Sequence, residues 1–119
     1  MRILIKKDPR YPIDTKKIRI WIKKVLTESG LSDNLELSVV FVGKRKAKQL
    51  NQDYRQMDYI PEVLAFPLNE KSPEGTLMMG DLVICFPEAR RQAMARDRMV
   101  DEIIFELLTH GINNLIVSN

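Results

Sequence analysis

The sequence has very little of the chemistry that usually marks the function of a small protein. Its 119 residues contain one cysteine, one histidine and one tryptophan. A single thiol excludes an internal disulfide, and a chain of this length buries enough surface to fold without a metal. No apolar run is long enough to cross a bilayer, and the first residues lack the apolar core of a secretory signal. These features predict a single domain over residues 1–119 in the reducing cytoplasm, away from membranes.

Positive charge is abundant only in the first quarter of the chain. Residues 1–30 hold nine lysines and arginines against three acidic residues, whereas the whole chain has a net charge of +3. Such a concentration is typical of a surface that binds a polyanion. The alternative is a helix face that is simply solvated. The lysines that we expect to contact such a polyanion are Lys16, Lys17, Lys23 and Lys24.

Hydrophobic periodicity predicts four strands and four helices. Strands are expected over residues 2–6, 35–42, 62–68 and 76–85, and helices over 15–29, 44–55, from 86 to about 95 and from about 99. Trp21 falls on the apolar stripe of the first helix and is expected to pack in the core. Ala47, Leu50 and Tyr54 are expected on the inner side of the second helix. Gly80 should let a neighbouring strand approach its backbone closely. The order βαβαββαα predicts an α/β (α+β) fold with a small mixed sheet.

His110 ends an apolar helical stretch and is the candidate for a metal ligand or catalytic residue. Position 114 lies one turn further along the same helix face. A histidine there would complete a pair of imidazoles, but Asn114 offers only a weak neutral oxygen. The alternative is that His110 packs in the interior and donates one hydrogen bond.

Two further residues are candidates for roles in a site, and the lone cysteine is not. Arg55 is the last residue of a polar helix, and its rigid guanidinium matches phosphate oxygens; the alternative is a salt bridge to Asp53 or Asp58. Asp81 precedes a buried strand and either orients a histidine ligand or caps a turn. Cys85 ends that strand and is expected to be buried and inert.

Residues 50–67 read LNQDYRQMDYIPEVLAFP. This motif resembles the YbeY family of bacterial rRNA maturation factors, whose pattern is approximately Leu-Asn-x-x-Tyr-Arg-x-x-Asp-x-Pro-Thr-Asp-Val-Leu-Ser-Phe-Pro. One extra residue precedes Pro61, Glu62 replaces Thr-Asp, and Ala65 replaces Ser. Residues 80–85, GDLVIC, resemble a second family strand.

The family signature His-Gly-x-x-His-x-x-Gly-x-Asp-His is matched only at its start. His110 and Gly111 fit the pattern, but Asn114 stands at the second histidine, Val117 at the glycine and Asn119 at the aspartate. The third histidine would fall after the last residue. The resemblance therefore predicts a domain that is shortened at its C-terminus and lacks the family's following helix.

The resemblance implies a zinc-dependent endoribonuclease that acts in 16S 3′-end rRNA maturation and ribosome quality control. Zinc would activate water for attack on an RNA phosphodiester, and Arg55 would neutralise the phosphate. Only His110 of the three metal ligands is carried over, so zinc occupancy is in question. The expected partners are rRNA and the small ribosomal subunit, with no DNA. The alternative is a truncated or impaired homologue that binds RNA without cleaving it.

Overall fold

The computed structural model describes residues 1–117, which form one four-stranded sheet and four helices. The predicted mixed α/β class and the order βαβαββαα are confirmed. No helix in this part of the chain combines the length and the apolar character that crossing a bilayer requires. In chain order the elements are β1 (Arg2–Lys6), α1 (Thr15–Glu28), β2 (Leu35–Val42), α2 (Lys44–Arg55), β3 (Val63–Lys71), β4 (Leu77–Cys85), α3 (Phe86–Ala95) and α4 (Val100–Val117).

The sheet has the strand order β1-β2-β4-β3, so β3 is an outer strand. Strands β1, β2 and β4 run parallel, and β3 pairs antiparallel with β4 to form a hairpin. The prediction that β3 ends near residue 68 was wrong, because the strand continues to Lys71. Proline lacks an amide hydrogen and is tolerated in an outer strand, so Pro67 interrupts the pairing register without ending the strand.

Gly80 makes the predicted close approach between β4 and β3. A Cβ atom at this position would lie 2.2 Å from the Phe66 carbonyl oxygen and 2.9 Å from the Leu68 nitrogen. Its φ of +133° is also one that side-chain-bearing residues rarely adopt. The hairpin geometry therefore depends on glycine at this point.

One face of the sheet carries the main hydrophobic core. In β2 the alternate residues Leu35, Leu37, Val39 and Phe41 are buried, as the period of two requires. Helices α1 and α4 pack over this face and contribute further buried residues to the same core. Trp21 packs against the core as predicted, but it lies at the rim and is only half-buried.

Helix α2 lies on the opposite side of the sheet, where its Tyr54 ring makes an edge-to-face contact with Phe66 of β3. Ala47 is buried on the inner side of the helix as predicted. Tyr54 was also predicted on that side, but it is 66% exposed and Asn51 is fully buried in its place. A buried amide is stable only where its polar atoms are hydrogen-bonded, and Asn51 meets this condition.

Candidate functional site

A surface pocket lies at the outer edge of β3 and combines side chains from both sides of the sheet. Arg55 reaches it from α2, and His110 and Asn114 reach it from α4. Between them runs the strand segment Val63, Leu64 and Ala65, and the pocket has a volume of about 280 Å³. We call it the Arg55 pocket. The two predicted site residues, Arg55 and His110, are therefore brought together although they are far apart in sequence.

Gly111 determines how closely α4 approaches the sheet beside this pocket. A Cβ atom at position 111 would lie 2.9 Å from Leu82 Cδ2 and 3.3 Å from Val63 Cγ2. Because glycine carries no such atom, the helix lies directly on these two side chains. This close packing places the preceding residue, His110, next to the edge strand.

His110 is exposed, and it lines this pocket and two adjoining cavities. The alternative of an interior histidine that only packs is therefore excluded. Its helix neighbours explain the exposure, because Gly111 and Ile112 take the buried positions and His110 faces outward. An accessible imidazole can exchange protons with a ligand or serve as a metal ligand.

The Arg55 guanidinium is held by neutral groups. Its Nη1 donates to Asn51 Oδ1 at 3.2 Å and to the Tyr59 hydroxyl at 3.3 Å. Within residues 1–117 no carboxylate lies within 4.0 Å of it. The alternative of a salt bridge to Asp53 or Asp58 is wrong, since Asp58 pairs with Lys48 at 3.6 Å.

A larger cleft of about 600 Å³ adjoins the pocket and extends between α3, α4 and the loop before β3. Two more arginines line it, but each is paired with a carboxylate. Arg91 contacts Glu88 Oε2 through Nε at 3.0 Å and Nη2 at 2.9 Å, and Glu88 is only 8% exposed. Arg96 Nη1 lies 3.0 Å from Glu106 Oε2. Sequence reasoning missed the Arg96–Glu106 pair because no local pattern indicates that α3 and α4 share a cleft, whereas the i, i+3 spacing of Glu88 and Arg91 on α3 was a signal that could have indicated the other pair.

Of the arginines that line the cleft, Arg55 alone is not paired with a carboxylate among the described residues. The hydrogen bond to Glu88 raises the pKa of Arg91, and hydrogen bonds from Arg98 and Arg96 lower the pKa of Glu106. Both shifts hold these groups in their charged, paired forms. Arg55 lacks such a partner among the described residues, so it is the cation with most capacity to bind an anion.

Asp81 and Cys85 are not brought to this site. Asp81 of β4 lies opposite Ser38 of β2 in the strand register. With Leu4 it lines a separate pocket, on the sheet face opposite the one that α4 covers. The structure therefore separates Asp81 from His110, which it was predicted to orient. Cys85 is buried, and burial raises the pKa of its thiol, as expected for an unreactive cysteine.

The four predicted RNA-binding lysines lie on the exposed surface of α1, outside the Arg55 pocket. They fall on two sides of the helix. Lys17 lies four residues before Trp21 and Lys24 lies three residues after it, so the two lysines flank the Trp21 ring. Lys16 and Lys23 instead flank the exposed Ile20.

The donor set at His110 does not fit a zinc centre by itself. Within residues 1–117, no three histidine, cysteine, aspartate or glutamate side chains come together as potential metal ligands. Asn114 adds an amide, whereas hydrolytic zinc sites use three ligands drawn from imidazole, thiolate and carboxylate. Asn119, at the family's aspartate position, lies outside the described residues.

Comparison with known proteins identifies relatives over nearly the whole chain. A family model described as endoribonuclease YbeY matches residues 4–116. The endoribonuclease YbeY of Mesoplasma florum is 34% identical over 112 residues, and the match covers 84% of this chain and 66% of that protein. The Aquifex aeolicus endoribonuclease YbeY is 35% identical over 115 residues and is matched over 75% of its length. The chain thus spans about two thirds to three quarters of these relatives.

A solved structure supports the fold. The solution structure of TM1509 from Thermotoga maritima matches with a TM-score of 0.67 at 21% sequence identity. The match covers 95% of this chain and 71% of that one. At this level of identity the similarity demonstrates a shared fold and no more.

Proposed function

Since residues 4–116 match the endoribonuclease YbeY model, the chain belongs to the YbeY family, and we propose that it binds single-stranded RNA in the Arg55 pocket and hydrolyses its phosphodiesters there. The observation that supports this proposal best is the charge state of the cleft. Arg91 and Arg96 are paired with carboxylates, whereas the Arg55 guanidinium contacts only neutral oxygens. A phosphate would supply the negative partner that Arg55 lacks.

Arg55 binds the non-bridging oxygens of the phosphate. Its planar guanidinium presents parallel N–H donors that match two phosphate oxygens. Nη1 is already oriented by Asn51 and Tyr59, so little side-chain freedom is lost when RNA binds. Negative charge increases on these oxygens as the nucleophile attacks, and the guanidinium therefore stabilises the transition state more than the bound substrate.

His110 moves a proton in this proposal. It is exposed, and it lines the same pocket as Arg55, so its imidazole can lie beside the phosphate that Arg55 binds. Imidazole readily accepts a proton from an attacking water and can return one to the leaving 5′ oxygen. Both roles need access to solvent and substrate, which an interior histidine would not have.

We further propose that the natural substrate is rRNA of the small ribosomal subunit, and that the protein acts in the cytoplasm at its 16S 3′ end. The support is the family membership together with Lys17 and Lys24 on the exposed surface of α1, which provide affinity for a phosphate backbone without reading its sequence. RNA is expected to be preferred to DNA of the same sequence.

Two arginine variants on α2 test the proposal. Arg55→Gln and Arg45→Gln remove the same charge from one helix, but Arg45 is exposed and lies outside the pocket. We expect Arg55→Gln to weaken RNA binding and to slow cleavage by about 10- to 100-fold, since a charge-assisted hydrogen bond contributes about 1.5–3 kcal/mol. Arg45→Gln should change both by less than about threefold. Equal effects of the two variants would contradict the proposal.

A second candidate function is RNA binding without cleavage. Asn114 favours it, because an amide occupies the position one turn after His110 where the family pattern has an imidazole. In that case the affinity for RNA falls steeply as the salt concentration rises, and a chelator leaves it unchanged. The bound RNA is not cleaved. If zinc contributes, elemental analysis of protein purified without chelator must find about one zinc per chain, and a chelator must abolish cleavage.

A further inference from the structure

A second groove adjoins the candidate site on the outer surface of α4. It has a volume of about 490 Å³, and its floor contains the rings of Trp21 and Phe105. The two rings are stacked, with centroids 4.8 Å apart and an interplanar angle of 18°. Trp21 Nε1 donates to Thr109 Oγ1 at 3.0 Å, so the indole is fixed in position on α4. Both rings are only half-buried, which leaves part of this aromatic surface accessible.

The groove continues into the cleft of the candidate site. His110 and Glu106 line both the groove and the cleft that contains Arg55. A polymer bound at Arg55 can therefore extend past His110 and over the aromatic rings.

The charges around the groove favour an anionic ligand. Lys24 Nζ lies 5.5 Å from the centroid of the Trp21 ring, and Lys17 lies on the same side of α1. The two carboxylates that line the groove are already paired, Glu102 with Arg98 at 2.9 Å and Glu106 with Arg96 at 3.0 Å. Within residues 1–117, by contrast, neither of these lysines forms a salt bridge.

We propose that this groove is a stacking subsite for a base of single-stranded RNA, with Lys17 and Lys24 binding the adjacent phosphates. Aromatic rings beside cations are the usual combination in proteins that bind single strands, because every base has a face that can stack. The flexible, exposed Lys24 side chain can move off the indole when a base arrives. That the polymer is RNA rests on the proposed function. The groove and the charges around it are features of the structure and do not depend on that proposal.

Trp21 is the only tryptophan in the chain, so its fluorescence reports on this groove alone. We expect short oligouridylate to quench the emission in a saturable way, because a stacked base lies against the indole. Inorganic polyphosphate carries charge without bases and should bind while leaving the emission near its starting value. Gel analysis of the oligonucleotide after each titration separates binding from cleavage.

Two pairs of lysine variants provide a matched test. The double variant Lys17→Ala/Lys24→Ala should lower the slope of log affinity against log salt by about 1.4, since each phosphate contact to a single strand contributes about 0.7. Lys16→Ala/Lys23→Ala removes the same charge from the other side of α1 and should change the slope much less. Trp21→Leu should weaken oligouridylate binding about 5- to 100-fold, with folding checked by circular dichroism.

Two results would overturn the stacking subsite: oligouridylate that binds without quenching Trp21, or equal effects of the two lysine pairs. The lysine variants retain Trp21, so they test the stacking subsite even if Trp21→Leu does not fold.

Failure of the stacking subsite is distinguishable from failure of the proposed function. Arg55→Gln would then still lower RNA affinity and cleavage while Trp21 emission stays constant. The reverse result, quenching without any effect of Arg55→Gln, would retain the groove and reject the Arg55 pocket.

Discussion

Arg55 depends on Asn51 for its orientation. Asn51 lies one helical turn earlier, is fully buried and uses both ends of its amide. Its Oδ1 accepts from Arg55 Nη1, and its Nδ2 donates to the Tyr59 carbonyl oxygen at 3.1 Å. One side chain thus fixes both the guanidinium and the loop that follows α2. Loss of this amide should affect stability and RNA binding together.

The variant Asn51→Asp tests this dependence. It replaces the Nδ2 donor with an oxygen, so the Tyr59 carbonyl loses its hydrogen bond and a carboxylate is placed beside Arg55. We expect a loss of about 1–3 kcal/mol in the free energy of unfolding, together with roughly tenfold weaker RNA binding because Arg55 is neutralised. Urea unfolding and fluorescence anisotropy measure the two effects.

Gln52→Glu is the matched control for Asn51→Asp. It changes the charge by the same amount at the next residue, but Gln52 is exposed. Unfolding free energy and RNA affinity should both stay close to those of the parent protein. If Gln52→Glu weakened RNA binding as much as Asn51→Asp, general repulsion rather than the Asn51–Arg55 contact would explain the loss.

The sequence pointed to Arg55 and His110, which the structure brings to one pocket, but it did not describe their surroundings. Asn51 was overlooked because a helical pattern is read from its apolar residues, and these pointed to Tyr54. The exposure of His110 was left open because an apolar stretch does not reveal which side of the helix the sheet takes. In both cases the answer depends on contacts between elements that are distant in sequence.

Helices α3 and α4 are joined at their turn by a cluster of ion pairs centred on Glu106. Glu106 accepts hydrogen bonds from Arg96 and Arg98, and Glu102 pairs with Arg98 alone. These hydrogen bonds hold the pKa of Glu106 below its ordinary range. A carboxyl group with a lowered pKa in the folded state stabilises the protein above the ordinary glutamate pKa of about 4.3, and this contribution is lost as the pH falls below that value.

Glu106→Gln should therefore lower the midpoint of thermal unfolding at neutral pH. The difference from the parent protein should shrink as the pH falls below about 4, because acid also neutralises the parent's carboxylate. Glu102→Gln removes a carboxylate with one arginine partner and should have a smaller effect at neutral pH. Differential scanning calorimetry at several pH values measures both. A difference that grows on acidification would contradict this explanation.

The β3–β4 hairpin depends on a single glycine. Gly80→Ala would place a methyl group against the backbone of Phe66 and Leu68, and backbone atoms cannot move aside as a flexible side chain can. We expect a loss of at least about 3 kcal/mol in the free energy of unfolding, or failure to fold. Gly30→Ala is the control, since Gly30 also has a positive φ of +79° but no atom within 4 Å of an added Cβ. It should cost only about 1–2 kcal/mol.

Most element boundaries could be predicted from the sequence, because Asp14, Gly30 and Pro87 are local signals that need no tertiary information. The end of β3 could not. Pro67 favours the end of a strand unless that strand lies at the edge of the sheet, and strand order is not encoded locally. The strand order β1-β2-β4-β3 supplied the missing information.

At the scale of the whole molecule, the candidate site exists because β3 is an outer strand. Helix α2 lies on one side of the sheet and α4 on the other, and only at an edge can Arg55 and His110 line one pocket. The basic helix α1 packs beside α4, so its Lys17 and Lys24 lie next to the adjoining aromatic groove. A polyanion can therefore contact pocket, groove and lysines along one continuous surface.

The most direct test of this account is an RNA titration followed by NMR of the His110 ring. His110 is the only histidine, so its imidazole signals need no separation from others. We expect them to shift in the parent protein and in Arg45→Gln as RNA is added, and to shift far less in Arg55→Gln at the same RNA concentration. If RNA bound tightly while the His110 signals stayed in place, its binding surface would lie elsewhere and the central claim would be wrong.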